Sequence, residues 1–151
     1  MMGGSIEPLK PDYGHAPPIA PVSEWNIKGD IRASQKLFLS GVPLYVMPLD
    51  STLHLTLDEV NRKFLFSEGT PLTDALTLLY HQWGATTPVL FDPMTLAFIL
   101  DPKLCLVQPM HIRVDDTGLT RVEPGSPNAQ VCLNSDADAF RRFYMHRVLG
   151  Q

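Results

Sequence analysis

The sequence predicts an α/β domain with a small antiparallel extension. Three observations lead there. The run Val42-Pro43-Leu44-Tyr45-Val46-Met47-Pro48-Leu49 is almost uninterrupted in its apolar character, as a strand covered on both faces of a parallel sheet would be. Helix signals with caps recur after it, at Thr56, Thr70 and Asp92. Beyond Pro102 the texture changes to short alternating segments divided by turn residues. With 151 residues, 44 % apolar and 19 % charged, the chain can build one domain with its own core.

Taken in order, Met1-Met2-Gly3-Gly4 reads like the end of a buried strand. Residues 5–22 contain Pro8, Pro11, Pro17, Pro18 and Pro21 with the turn residues Asp12 and Gly14, which excludes regular structure. A long loop is expected, either a linker or a binding lid. Asp30 caps a helix whose Ile31, Ser34, Leu37 and Phe38 share one face, and Gly41 stands where a left-handed C-terminal residue belongs. Thr56-Leu57-Asp58-Glu59 has the form of a capping box and opens a helix toward Phe64. Thr70-Pro71 starts the next, with Leu72, Leu76, Leu79, Tyr80 and Trp83 on one stripe and Gly84 at its end. Asp92-Pro93 repeats the device before Met94 to Leu100. Leu104 to Val107, His111 to Val114, Leu119 to Val122 and Ala129 to Leu133 predict an antiparallel meander, and Asp136 opens a final helix that buries Phe140, Phe143, Tyr144 and Val148.

Several functional classes are excluded at this level. A net charge of −4 with no Lys/Arg run offers no footprint for a phosphate backbone, so no nucleic acid is expected as a partner. No apolar run approaches the roughly 20 residues that span a bilayer, and the N-terminus lacks the regions of a signal peptide. A soluble, cytoplasmic protein without a membrane partner is expected. Cys105 and Cys132 sit in apolar runs with no zinc spacing and read as reduced core residues. His15 falls in the proline-rich loop, and His54, His111 and His146 form no metal-ligand spacing. Gly-x-Ser-x-Gly is absent.

Chemistry concentrates in Glu24-Trp25-Asn26. A carboxylate and an amide so spaced can jointly grip a diol, the first accepting and the second both donating and accepting. The plainer alternative is a solvated turn before a helix. Asp92 has its own plain alternative, a helix cap followed by proline.

The order of these motifs, Met2-Gly3-Gly4, a loop, Glu24-Trp25-Asn26, a capped helix, an apolar strand ending Pro48-Leu49-Asp50 and an Asp92-Pro93 helix, resembles the inosine-uridine-preferring nucleoside hydrolases. It matches their C-terminal half, so residues 1–151 would be the C-terminal portion of a partial Rossmann-like fold. The resemblance implies hydrolysis of the N-glycosidic bond of purine and pyrimidine ribonucleosides, with a calcium ion that binds ribose hydroxyls and orients water. It implies ribose contacts for Glu24 and Asn26, a place near the site for Trp25, a backbone contact to the sugar for Met2, and a calcium ligand in Asp92. Phe91 stands where many members have a histidine that protonates the leaving base, and phenylalanine has no proton to give.

The family's Asp-x-Asp-x-x-x-Asp-Asp signature has no counterpart here. One aspartate does not supply the six to eight oxygens that calcium takes, so the chain alone is expected to lack both the ion and the general base. Two function classes remain: part of a hydrolase that needs an N-terminal half or a homo-oligomer, or a non-catalytic nucleoside- or ribose-binding module. In the first, the sheet would expose an apolar edge.

Overall fold

A computed structural model describes residues 1–10, 17–84 and 86–150. Pro11, Asp12, Gly14 and His15 of the predicted loop lie outside the described residues. The chain runs α1 (Trp25–Gly29), α2 (Ile31–Leu39), β1 (Tyr45–Val46), α3 (Leu49–Thr52), α4 (Glu59–Ser67), α5 (Pro71–Trp83) and α6 (Pro93–Leu100). After a 3-10 turn at Pro102–Leu104 come β2 (Cys105–Met110), β3 (Ile112–Val114), β4 (Thr120–Val122), β5 (Ala129–Ser135) and α7 (Ala137–Leu149). The mixed α/β architecture is the one expected.

β5 is the central strand. It pairs parallel with β1, Val46 opposite Val131, and antiparallel with β2, Gln108 opposite Val131. On the far side of β1, the Met1–Gly4 segment runs parallel to it. Gly3 donates to Met47 O at 3.2 Å, Met47 to Met1 O at 2.9 Å and Leu49 to Gly4 O at 2.9 Å. Reading these four residues as a buried strand end therefore holds. Side chains alternate across the sheet. Met47, Cys105 and Cys132 join Leu55, Leu65, Met94, Phe98 and Phe140 in one core, whereas Val46 and Val131 join Ile27, Phe38 and Ile112 in another.

Four local expectations are corrected. The apolar run at 42–49 yields only a two-residue strand, with Val42 48 % and Tyr45 47 % exposed, because Pro43 and Pro48 have no N–H to give a ladder. The meander is divided: β2 and β5 belong to the main sheet, while β3 and β4 form a separate hairpin. Asp58, not Thr56, caps α4, accepting from Asn61 N at 2.9 Å, while Thr56 bridges to Val89. The stripe on α5 is only half used, since Leu72, Leu79 and Trp83 are each more than half exposed. The caps on α2, α5 and α7 stand as expected, from Asp30, Thr70 and Asp136.

The cysteines are a fifth correction. Cys105 and Cys132 form a disulfide between β2 and β5, with Cα atoms 5.9 Å apart. The direct register sets Val107 opposite Cys132, and an irregularity between Cys105 and Val107 brings Cys105 onto the same face. That cross-strand meeting depends on pairing and is invisible to spacing.

The β3–β4 hairpin locks the strand end at Gly4. Thr120 Oγ1 donates to Ser5 O at 2.8 Å and accepts from Ser5 N at 2.9 Å. Gly4 has φ +92°, and a Cβ there would stand 3.1 Å from the Thr120 side chain, so glycine is required twice over. Among the described residues, no helix is long and apolar enough to cross a membrane.

His54 supplies a pH test of the fold. Its ring lies against Ser135, Nε2 being 3.3 Å from Ser135 O and 3.1 Å from Ser135 Oγ, and burial pushes its pKa below the ordinary 6.5, against a smaller upward pull from the Ser135 carbonyl. The unfolded chain therefore binds the proton more readily. The stability contribution is present above pH 6.5 and is lost as the pH falls toward the lower folded value. Urea midpoints should drop across that window, and His54→Gln should flatten the drop.

Candidate functional site

The end of the Met1–Gly4 strand, α1 and the start of α6 meet around a cleft of about 390 Å³. All six residues singled out from the sequence line it: Met2, Glu24, Trp25, Asn26, Phe91 and Asp92. Val22, Ser23 and Leu49 complete the wall. Those three went unremarked in the sequence as site residues, although Leu49 belongs to the Pro-Leu-Asp end of the apolar run.

Glu24 is the anchor of this arrangement. Its side chain is buried at 5 % exposure and accepts three main-chain bonds, Asn26 N to Oε1 at 2.9 Å, Gly4 N to Oε2 at 3.1 Å and Ile27 N to Oε2 at 3.2 Å. The first and third make it the cap of α1. The second ties the helix to the strand end across 20 residues of chain. A carboxylate has about four lone-pair sites, so roughly one remains for a ligand, on Oε1. The solvated-turn alternative is thus half right: the turn precedes a helix, but the carboxylate is buried.

Asn26 stands next to it. Nδ2 donates to Met2 O at 3.4 Å and approaches Met2 Sδ at 3.3 Å, both long contacts. Oδ1 takes no bond among the described residues. The amide therefore keeps its acceptor and part of its donor capacity for a ligand. Met2 O, which faces the same amide, is a second polar atom at this wall. Trp25 projects its ring outward, 83 % exposed, and Phe91 is half-buried on the opposite element.

Asp92 is exposed and does not cap α6. Its backbone is already helical (φ −67°, ψ −36°) and no side-chain cap bond forms. The first turn is closed by main-chain oxygens instead, with Met94 donating to Phe91 O at 3.3 Å and Thr95 to Asp92 O at 3.0 Å. The plain reading of Asp92 as a cap is corrected, and its carboxylate is left at the cleft. Asp50, at the end of the apolar run, is committed elsewhere: it accepts from Ile6 N at 3.0 Å and Glu7 N at 2.6 Å and holds the start of the proline-rich loop.

The donor set of the cleft does not match calcium. Among the described residues, no group of three or more His, Cys, Asp or Glu side chains could hold a metal ion. Asp92 is one exposed carboxylate and Glu24 is spent on amides, which does not fit a hard cation seeking six to eight oxygens.

Comparisons with known proteins bear on the family and the fold. The family described as inosine-uridine preferring nucleoside hydrolase matches residues 1–142. The pyrimidine-specific ribonucleoside hydrolase RihA of Citrobacter koseri is 28 % identical over 139 residues, covering 80 % of this chain and 45 % of that protein. A purine-preferring ribonucleoside hydrolase from Gardnerella vaginalis superimposes with a TM-score of 0.79 at 25 % identity, covering 99 % of this chain and 51 % of that one. An inosine-uridine preferring nucleoside hydrolase from Bacillus anthracis gives a TM-score of 0.73 at 24 % identity, covering 98 % and 49 %, which is a likeness of fold. The chain spans about half the length of the relatives it matches.

Proposed function

Because the chain belongs to the inosine-uridine preferring nucleoside hydrolase family, we propose that its cleft is the ribose-facing wall of a ribonucleoside hydrolase site. The reaction is cleavage of the N-glycosidic bond to free base and ribose. The observation that carries the reading is the convergence of Met2, Glu24-Trp25-Asn26 and Phe91-Asp92, from three separated stretches, on one cleft.

The chemistry asks for such a wall. As the base departs, the ribose becomes oxocarbenium-like, so the site must hold the hydroxyls and tolerate positive charge near the anomeric carbon. Asn26 Oδ1, Met2 O and the remaining lone pair of Glu24 Oε1 are oxygens placed to accept hydroxyl protons. Trp25 and Phe91 offer apolar faces to the base. Neither can protonate it. Leaving-group protonation and water activation therefore fall to groups outside this chain's cleft, and Asp92 is the residue here with a carboxylate to add to a metal site completed elsewhere.

A second reading, a non-catalytic nucleoside- or ribose-binding module, is favoured by one observation: Glu24 is largely consumed by the backbone. Calorimetry with inosine and uridine, each with and without calcium, tests both. Binding that survives chelation, unaccompanied by ribose release, is the module. Asn26→Ala should weaken either nucleoside by about tenfold, the loss of roughly one hydrogen bond to a charged or hydroxyl partner. Trp25→Ala should also weaken binding while leaving the urea midpoint unchanged, since that ring is 83 % exposed. No heat with either nucleoside at millimolar concentration would sink both readings.

We also propose a cytoplasmic setting. A reducing cytosol keeps thiols reduced, so Cys105 and Cys132 would pack there as a pair of thiols. Thiol trapping in intact cells, followed by mass spectrometry, reads this directly.

A further inference from the structure

We infer that Thr120, on the β3–β4 hairpin, is a positioning residue for the cleft: through Ser5 and Gly4 it sets the wall Val22-Ser23-Glu24, and with it Asn26. The inference deepens the reading of the cleft as a nucleoside site, and takes from that reading only the ligand.

The wall hangs on bonds that lead back to the hairpin. Val22 N donates to Ser5 Oγ at 3.2 Å, Ser23 Oγ donates to Thr117 O at 3.0 Å, and Gly4 N donates to Glu24 Oε2 at 3.1 Å. Three consecutive wall residues are thus held one by one. Two of their partners, Gly4 and Ser5, are chain neighbours, and Thr120 engages both. Its hydroxyl donates to Ser5 O at 2.8 Å and accepts from Ser5 N at 2.9 Å, and its side chain lies where a Cβ on Gly4 would meet it at 3.1 Å. Thr120 is 3 % exposed and Ser5 0 %. At that depth bulk solvent is no alternative partner, so both main-chain groups of Ser5 depend on one hydroxyl.

The hairpin is built to hold still. Asp115 Oδ1 accepts from Thr117 N at 2.8 Å, Thr117 Oγ1 at 2.6 Å and Leu119 N at 3.1 Å, while Oδ2 accepts from Arg121 Nε at 3.1 Å. The turn touches the wall directly, since a Cβ on Gly118 would stand 2.6 Å from Ser23 Oγ. Ile112 and Val114 share a core with Ile27 of α1, the residue after Asn26. Both the strand end and α1 are therefore referenced to the same hairpin. Thr120 itself does not line the cleft, so it acts only through Ser5 and Gly4. Such support matters because a misplacement of about 1 Å at a binding group can cost about a hundredfold.

The test compares three variants of the full chain. Thr120→Val keeps the shape and removes the hydroxyl, Thr120→Ser keeps the hydroxyl, and Leu65→Val, in the other core, controls for lost stability alone. Amide hydrogen exchange followed by NMR needs no ligand. In Thr120→Val, protection of Gly4, Val22 and Ile27 should fall about tenfold relative to the amides of α7, as expected of a local opening. Thr120→Ser should stay within about twofold of wild type, and Leu65→Val should lower all amides together. The dissociation constant for inosine should follow the same order, rising about tenfold for valine and returning to within about twofold for serine. If Thr120→Val does not fold, Thr120→Ala replaces it, leaving room for a water in place of the hydroxyl, with the same losses at smaller size. Wild-type protection of the three amides in the variant lacking the hydroxyl overturns the proposal. So does a loss of inosine affinity that Leu65→Val reproduces or that serine fails to rescue. If inosine gives no heat even with wild type, the nucleoside reading fails, and the exchange data alone decide whether Thr120 sets the wall.

Discussion

Replacing Glu24 by alanine should lower the stability of the chain by about 3 kcal/mol and abolish the proposed nucleoside binding with it. The stability figure follows from what the carboxylate holds. Truncation leaves the amides of Gly4, Asn26 and Ile27 without an acceptor, two of them buried, and each buried orphan costs roughly 1–3 kcal/mol. Water entering the vacated space offsets part of that sum. Binding is lost for a geometric reason: Gly4 N–H to Oε2 is the bond that sets α1 against the strand end, and Asn26 hangs from that helix. Glu24→Gln should lie between the two. Both Gly4 and Ile27 donate to the same oxygen, so the amide can serve that pair with its carbonyl only by turning its NH₂ group toward Asn26 N. Urea unfolding followed by tryptophan fluorescence measures the first effect and calorimetry the second. Equal midpoints for wild type and Glu24→Ala would show that the carboxylate is not a structural anchor.

The disulfide carries an effect of similar size. It links residues 27 positions apart, and closing a loop of that length removes chain entropy from the unfolded state worth about 3.5 kcal/mol in the loop-closure account. Reduction, or the double variant Cys105→Ser/Cys132→Ser, should shift the thermal midpoint downward by several degrees. The serine pair should fall further than the reduced protein. It places hydroxyls at positions 3 % and 0 % exposed, in the core shared with Met47 and Phe140, where a thiol packs without penalty. An unchanged midpoint on reduction would mean that the β2–β5 pairing is secured without the bond.

What the sequence disclosed depended on whether the signal was local. The Thr70-Pro71 start and the Gly84 end of α5 are cap chemistry that needs only neighbours, and both are present, Gly84 with φ +73°. Asp136 and Asp30 behave alike. Much of what rests on pairing was misread, the Met1–Gly4 strand end excepted. An apolar run bracketed by Pro43 and Pro48 keeps only a two-residue strand and a bridge at Met47, and four alternating segments distribute themselves over two sheets, β5 taking a parallel neighbour in β1 that no local pattern announces. The exposed stripe on α5 obeys the helical period, yet half of it faces outward.

At the site, motif order was enough to name six residues that the fold gathers around one cleft. Their duties were less legible. Glu24 looked like a free diol acceptor, and only the approach of Gly4 from a distant strand shows that most of the carboxylate is engaged. Asp92 looked like a cap, and only the early turn closed by Phe91 O shows that it is not one.

We propose above that this chain supplies the ribose-facing wall of a hydrolase site that a further segment completes. Ribose release from inosine and from uridine, in calcium buffer, tests it most directly when three samples are compared: the chain alone, the chain fused behind the complementary segment of the Citrobacter koseri relative, and that fusion carrying Asn26→Ala. No release is expected from the first, release from the second, and a marked loss in the third. Turnover by the chain alone at the rate of the fusion, or a fusion indifferent to Asn26, would contradict it.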